Sequence, residues 1–455
     1  MTAVISRPAA RTAVPRVTVR TAVPRQTAPP GRDVFIDVLR LFGMALVVLQ
    51  HWSMPVLSFA DGRISTGNAL STGGAWMITW ISQVMPLVFF AGGAANAIGW
   101  RGSVRRGGTA SAWLAVRLRR LTWPVLPLAA VWVPLPHLLL AAGMPQQPVV
   151  TASRLAGQLL WFLAIYLVAV ALTLPMLRLN MRYGWRVPAA LMAGAVVVDV
   201  ARFASGLDAI GFLNIGLVWL AVHQLGFLYA DGRLGRPWVM ALTGYGLAAA
   251  LVAFGPYPGS MIGMPGAAVS NMAPPTIALL AVAIGQIGLA VALRRWIVAF
   301  ARWPWVSRVL AWAAPRMMTV YLWHMSAMFV VTSVVVVGLG VSTPRPGSSA
   351  WLSGWPHWLL ALALAMYPLL RCLARFETPA QAPPYGGGMA RTVAAMALAG
   401  VGLLILTAIG FVPGPAPVLA TGMMLAALAL IRHRPGAAPV PDQHCPGADP
   451  APARR

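Results

Sequence analysis

Twelve apolar runs, each near the length needed to cross a bilayer, divide this chain. They lie near residues 34–57, 75–99, 122–142, 155–177, 187–204, 211–229, 238–255, 274–293, 316–340, 355–371, 390–411 and 415–431. A helix rising 1.5 Å per residue needs about 20 apolar residues to cross a hydrocarbon core of about 30 Å. Lipid leaves backbone N–H and C=O groups no outside partner, so only helices or a closed barrel can span it. Runs of this length predict helices. The expected fold class is all-α, a polytopic transmembrane helical bundle. Composition agrees: 59% of residues are hydrophobic and 9% are charged, against about 25% charged in a soluble domain.

The formal net charge is +25, and every basic residue is arginine. On a soluble protein that balance would point to nucleic acid. Here the arginines sit between the apolar runs and alternate. Arg101, Arg105, Arg106, Arg117, Arg119 and Arg120 crowd one loop region; Arg178, Arg182 and Arg186, then Arg233 and Arg236, then Arg294, Arg295, Arg302 and Arg308, and finally Arg371, Arg375 and Arg391 crowd later ones. The intervening loops carry Arg63, Arg154 and Arg345 singly, and 256–273 carries none. Arginine-rich loops face the cytoplasm. The pattern predicts a multi-pass protein of a bacterial cytoplasmic membrane with both termini inside, its partners the lipid bilayer and small molecules, and no nucleic acid. Neither Cys372 nor Cys445 belongs to a disulfide or metal-ligand pattern.

Composition shifts suggest boundaries. Residues 1–32 hold six arginines, no acid and the repeat RTAVPR at 11–16 and 20–25. They read as a disordered basic cytoplasmic tail. No apolar core with a small-residue cleavage site occurs there. Residues 33–375 form a ten-helix membrane domain. The Pro- and Gly-rich stretch FETPAQAPPYGGGM at 376–389 reads as a linker. Residues 390–431 supply two extra helices expected to face lipid, and 432–455 a second disordered cytoplasmic tail.

The first run is the most informative. RDVFIDVLRLFGMALVVLQHW at 32–52 carries Asp37, Arg40 and His51 within a membrane-grade segment. Arg40 and His51 are eleven residues apart, which is about 20° beyond three full turns, so they share one face about 16 Å apart. Asp37 is three residues before Arg40 and in reach of it. If hydrocarbon begins near Leu41, His51 lies about 15 Å deeper, near the midplane. Charge and imidazole are costly there and usually face a cavity. A snorkelling arginine and an interhelical histidine are the structural alternatives.

This pattern, D-x-x-R followed by ten residues and His, resembles the first helix of acyltransferase family 3. Further segments resemble that family in the same order: MPLVFFAGG at 85–93, RLRRLTWPVLP at 117–127, LWFLAIYLVAVALTLP at 160–175, VYLWHMS at 320–326, and NIGLVWLAVHQLGFLYADG at 214–232, the last of an actinobacterial type. The resemblance spans about 33–375. It implies an integral membrane acyltransferase that moves an acyl group, often acetyl, from cytoplasmic acyl-CoA to a hydroxyl of a cell-envelope carbohydrate, lipid or small metabolite. It implies a donor substrate, acyl-CoA, and no metal; no His/Asp/Glu cluster suggests one. A hydrolase-like domain, often attached in this family, has no room here.

Residue types fit that chemistry. Neutral His51 can take a proton from a hydroxyl attacking a thioester. Arg40 can hold the donor or a developing oxyanion, oriented by Asp37. Arg117, Arg119 and Arg120 can bind phosphate through guanidinium forks, or can be plain topology anchors. His324 and Tyr321 in LWHMS, and His223 and Gln224 further upstream, are further cavity candidates or interhelical hydrogen bonds. Without a Ser-His-Asp or Cys-His pattern, direct transfer is favoured over a covalent acyl-enzyme. Twelve spans with both ends inside also suit a transporter, although the two halves show no similarity.

Overall fold

The computed structural model describes residues 33–377 and 385–432. The expected tails apart from Arg432, half of the expected linker (378–384) and Cys445 lie outside them. Among the described residues twelve apolar helical segments follow one another: α1 Val34–Ser53, α2 Gly73–Arg105, α3 Ala110–Ala141, α4 Gln146–Ala171, α5 Arg186–Ser205, α6 Asp208–Ala230, α7 Pro237–Phe254, α8 Ile277–Ala292, α9 Pro304–Gly338, α10 Ser349–Phe376, α11 Met389–Ile409 and α12 Pro415–Leu430, with the more polar helix Thr173–Tyr183 between α4 and α5. Among the described residues ten of these are long and apolar enough to cross a membrane. The helix Arg294–Ala301 continues α8 after a 60° bend, and the pair would make an eleventh span. At 16 residues, α12 is shorter. The chain is a polytopic all-α bundle.

Several boundaries differ from the apolar runs for local reasons. The first run extends to 57, but α1 stops at Ser53. Pro55 has no N–H to continue the ladder, and Pro55–Ala60 becomes strand β1, paired antiparallel with β2, Arg63–Asn68. The turn is Asp61–Gly62, both at positive φ, the geometry that favours Asp-Gly in a two-residue hairpin. In α2, continuous α-helix begins only at Met85. In α3 the helix already runs from Ala110 to Thr122, so Arg117, Arg119 and Arg120 sit within it rather than in a preceding loop; Pro124 follows its end. In α9 two α-helical stretches, Pro304–Ala313 and Met317–Thr332, are joined by a 3-10 turn at Ala314–Arg316, and Ser333–Gly338 forms a π-helical turn.

Small residues set the closest helix contacts, as expected where lipid removes most of the hydrophobic drive for association. A Cβ on Gly93 of α2 would lie 2.0 Å from the His223 carbonyl oxygen of α6. A Cβ on Gly157 of α4 would lie 2.3 Å from the Leu406 oxygen of α11. The last helices therefore face lipid on one side only. Ala395, Ala399, Leu403 and Leu406 of α11 are fully buried, and the Phe411 N–H donates to Ser153 O at 2.9 Å.

Candidate active site

Helix α1 is fixed at its start. Asp33 is its N-cap: Oδ1 accepts from the Phe35 N–H at 2.9 Å, and Oδ2 accepts from the Tyr229 hydroxyl at 2.8 Å. Arg294, at the bend after α8, donates to the Tyr229 oxygen at 2.8 Å and lies 3.6 Å from Asp33. Three elements thus meet at one end of α1. Asp37 and Arg40 follow on the next turns, both partly buried.

At the other end His51 occupies the last turn, in the same unbroken helix as Arg40. Its Nδ1 lies 2.9 Å from Nε2 of His324, and the rings meet edge to edge with centres 5.1 Å apart and 11° between planes. His324 Nδ1 lies 2.6 Å from the carbonyl oxygen of Tyr321. These contacts decide the tautomers. A carbonyl only accepts, so His324 Nδ1 carries a proton. In a neutral ring His324 Nε2 is then an acceptor, so His51 Nδ1 must be the donor. That leaves the lone pair of His51 on Nε2, the nitrogen turned away from the pair. His324 is fully buried, whereas His51 is partly exposed.

The pair is braced from several sides. The Trp52 indole donates to His324 O at 3.0 Å, and the Trp358 indole to Trp52 O at 2.8 Å. The Tyr321 hydroxyl donates to Leu159 O of α4. On the following turn the Trp132 indole donates to Ser326 at 3.0 Å.

The arginine cluster forms at the Arg40 end. Arg117 lies in electrostatic reach of Arg40, Arg120 and Tyr166. Its guanidinium sits 5.0 Å from the Trp113 ring centre and fills the space left by Gly99, where a Cβ would meet it at 2.4 Å. Arg119 turns instead to Trp123, 5.9 Å from the ring centre. Aromatic contacts connect the two ends: Tyr166 with Phe162 at 5.5 Å, Phe162 with Tyr321 at 5.8 Å, and Tyr321 with His324 at 6.2 Å.

His51, His324 and Tyr321 therefore come together, and Arg40, Arg117 and Arg120 form a second group. His223 joins neither directly. It bonds Asn96 at 3.2 Å, and Asn96 reaches the Tyr166 hydroxyl at 3.4 Å. Gln224 donates to Met176 O at 3.5 Å. Asp199 and Arg202, three residues apart, do not bond each other. Asp199 accepts from Asn214, Tyr257 and the Ile277 N–H, while Arg202 pairs with Asp208.

A family model described as an acyltransferase domain matches residues 33–369. The chain belongs to acyltransferase family 3. The match begins at the N-cap of α1 and ends within α10, so it takes in both polar groups. No curated protein and no solved structure matches the chain. As a family member the protein is a multi-pass membrane acyltransferase, with an acyl donor and an acyl acceptor as substrates. The transporter reading gives way to this assignment.

Three groups carry little signal in the sequence. Asp33 and Tyr229 pair across the bundle, and only Asp33, just before a long apolar run, had a helix-start signal. Glu377 fell in the supposed linker, yet its carboxylate accepts from the Met318 N–H at 2.8 Å, the Thr319 N–H at 3.0 Å and the Thr319 hydroxyl at 2.7 Å. It caps the helix that carries Tyr321 and His324. Asn96 and Tyr166 had no local signal beyond one polar side chain in an apolar run. Among the described residues no three His, Cys, Asp or Glu side chains gather into a possible metal site.

Proposed function

We propose that this acyltransferase moves an acyl group, often acetyl, from cytoplasmic acyl-CoA to a hydroxyl of a cell-envelope carbohydrate, lipid or small metabolite. The observation that carries the reading is the His51–His324–Tyr321 relay, which leaves His51 Nε2 as a proton acceptor. The acceptor hydroxyl gives its proton to that nitrogen as its oxygen attacks the thioester carbon. The C–S bond then breaks, and the leaving sulfur takes the proton back from His51 to become the free thiol. His51 is the general base and then the general acid. His324 holds the ring and accepts the Nδ1 hydrogen bond throughout.

Arg40 stands about 16 Å along the helix from His51, too far to reach the same carbonyl. That distance favours a donor-holding role. With Arg117 and Arg120 it forms a cationic site suited to the phosphates of CoA, whose planar guanidinium forks match phosphate oxygens. Asp37 orients this end of α1, and Arg119 adds charge nearby. The aromatic lane through Tyr166, Phe162 and Tyr321 supports a route for the thioester arm between the two ends. The arginine-rich loops support an orientation with the phosphate site and both termini on the cytoplasmic side of a bacterial cytoplasmic membrane. In this reading residues 33–375 are the catalytic domain, α11 buttresses α4, and α12 packs against α11 and α3.

Release of free thiol from acetyl-CoA by the purified protein in liposomes, with a membrane extract as acceptor, tests this. Release by the wild type that is lost in Arg40→Ala and Arg117→Ala at low donor concentration, and regained at high concentration, is the expected result. No release from any acyl-CoA would overturn the donor assignment.

A further inference from the structure

A crevice opens beyond the histidine pair, on the side of the β1–β2 hairpin. Its walls are Leu57, Ile64 and Thr66 of the hairpin, the segment 148–155 of α4, and α9 from Met328 to Val337. The hairpin wall is held at both edges. Gln147 bonds the Ile64 N–H at 2.9 Å and the Ile64 carbonyl at 3.0 Å. Thr343 bonds the Leu57 N–H through its hydroxyl at 3.0 Å and the Leu57 carbonyl through its own N–H at 2.8 Å.

No lining side chain is charged. One polar atom stands out. The Thr332 hydroxyl is buried and has no hydrogen-bond partner among the described residues. Helical threonines elsewhere in the bundle, such as Thr173, Thr392 and Thr407, bond the carbonyl four residues back at 3.0, 3.1 and 2.8 Å. Thr332 does not. It is the last residue before the π-helical turn Ser333–Gly338, a distortion that often accompanies functional sites. A buried hydroxyl without a partner is costly, and a ligand oxygen would relieve it.

The crevice and the centre share two helices. Met328 is one turn beyond His324 on α9. Leu155 is one turn before Leu159, whose carbonyl accepts the Tyr321 hydroxyl. Thr332 lies eight residues from His324, about 12 Å along the helix.

We infer that this crevice receives the acyl acceptor, and that the acceptor is a neutral, largely apolar molecule with a second oxygen that reaches Thr332, about 12 Å along α9 from His324. This rests on the reading of His51 as the base. The apolar body lies against Leu57, Leu155 and Phe329, and the second oxygen bonds the Thr332 hydroxyl. A charged acceptor would leave its charge unpaired between uncharged walls.

The test uses 1,10-decanediol, 1-decanol and 10-hydroxydecanoate as acceptors, with acetyl-CoA and the purified full-length protein in liposomes. The wild type should turn over the diol with a kcat/KM about fivefold above decanol, the worth of one neutral hydrogen bond, and should use the carboxylate poorly. In Thr332→Val the diol and decanol should become equal, with acetyl-CoA binding unchanged. Ile64→Trp, which fills the crevice from its partly exposed hairpin side, should lose both alcohols. A diol preference that survives Thr332→Val, or hydroxydecanoate used as well as the diol, would overturn the inference. A diazirine-bearing decanediol separates this result from failure of the acyl-CoA reading. Saturable labelling of peptides 57–66, 148–155 and 328–337 that Ile64→Trp abolishes and Thr332→Val weakens about fivefold supports the crevice even without thiol release. Labelling unaffected by those variants contradicts it.

Discussion

His51 and His324, 273 residues apart, meet ring to ring with 2.9 Å between Nδ1 and Nε2. The contact is directional because the Tyr321 carbonyl fixes the far proton of His324. His324→Phe removes the acceptor for His51 Nδ1–H and frees His51 to turn or change tautomer. Its kcat for thiol release should fall at least about tenfold, the worth of about 1.5 kcal/mol, with the KM for acetyl-CoA unchanged. His324→Gln, which can accept through its side-chain oxygen, should fall less. Equal loss in both would argue against the tautomer role.

The proposed phosphate site can be disturbed without touching an arginine. Gly99→Ala places a Cβ 2.4 Å from a terminal nitrogen of Arg117. The guanidinium is the end of a flexible chain and will move aside. The KM for acetyl-CoA should rise several-fold with kcat retained, measured by initial rates over a range of donor concentrations. An unchanged KM would mean that Arg117 does not hold the donor.

Asp33 ties α1 to α6 and to the bend after α8. Its carboxylate is a helix cap worth about 1 kcal/mol. The ion pair with Arg294 adds little, because that side chain is 48% exposed. Asp33→Ala should lower the Tm in detergent, and Asp33→Ser, which keeps the cap but not the Tyr229 contact, should recover part of the loss. A serine variant no better than alanine would place the stabilisation in the Tyr229 contact.

Glu377 offers a pH handle outside the membrane segments. Burial pushes its carboxyl above the usual carboxylate range, against the opposing hydrogen bonds from Thr319 and Met318 and the charge of Arg316. A carboxyl with a raised native pKa binds its proton more tightly folded than unfolded. Its contribution to stability is therefore full below the unfolded pKa and is lost as pH rises through the native one. Thermal unfolding across that window should show this decline in the wild type and not in Glu377→Gln. The cap itself is made by the ionised form, so activity should fall on the acid side of the same transition. Identical pH profiles for the two proteins would remove Glu377 from both roles.

Much of this arrangement was legible from spacing. The Asp37, Arg40 and His51 stripe needs only helical geometry, and α1 is helical across all three. His324 and Tyr321 were marked by their motif, but their meeting with His51 was not, because pairing between distant helices leaves no local periodicity. The hairpin was hidden by apolar β1 residues that prolong the first run, although Asp61–Gly62 carried the turn signal. Glu377 was lost in a Pro- and Gly-rich stretch, where composition speaks for a linker and says nothing of one carboxylate that returns to the bundle. Thr332 was one more hydroxyl in an apolar segment. Only the missing bond to its own helix makes it stand out.

In the proposed mechanism His51 Nε2 accepts the proton of the attacking hydroxyl. The most direct test is the kcat for thiol release from acetyl-CoA in His51→Ala, alongside the Kd for labelled acetyl-CoA in the same preparation. A loss of about a hundredfold or more in kcat is expected with Kd unchanged, since the proposed phosphate site is at the Arg40 end. A variant that keeps its kcat within a few-fold of wild type would contradict it.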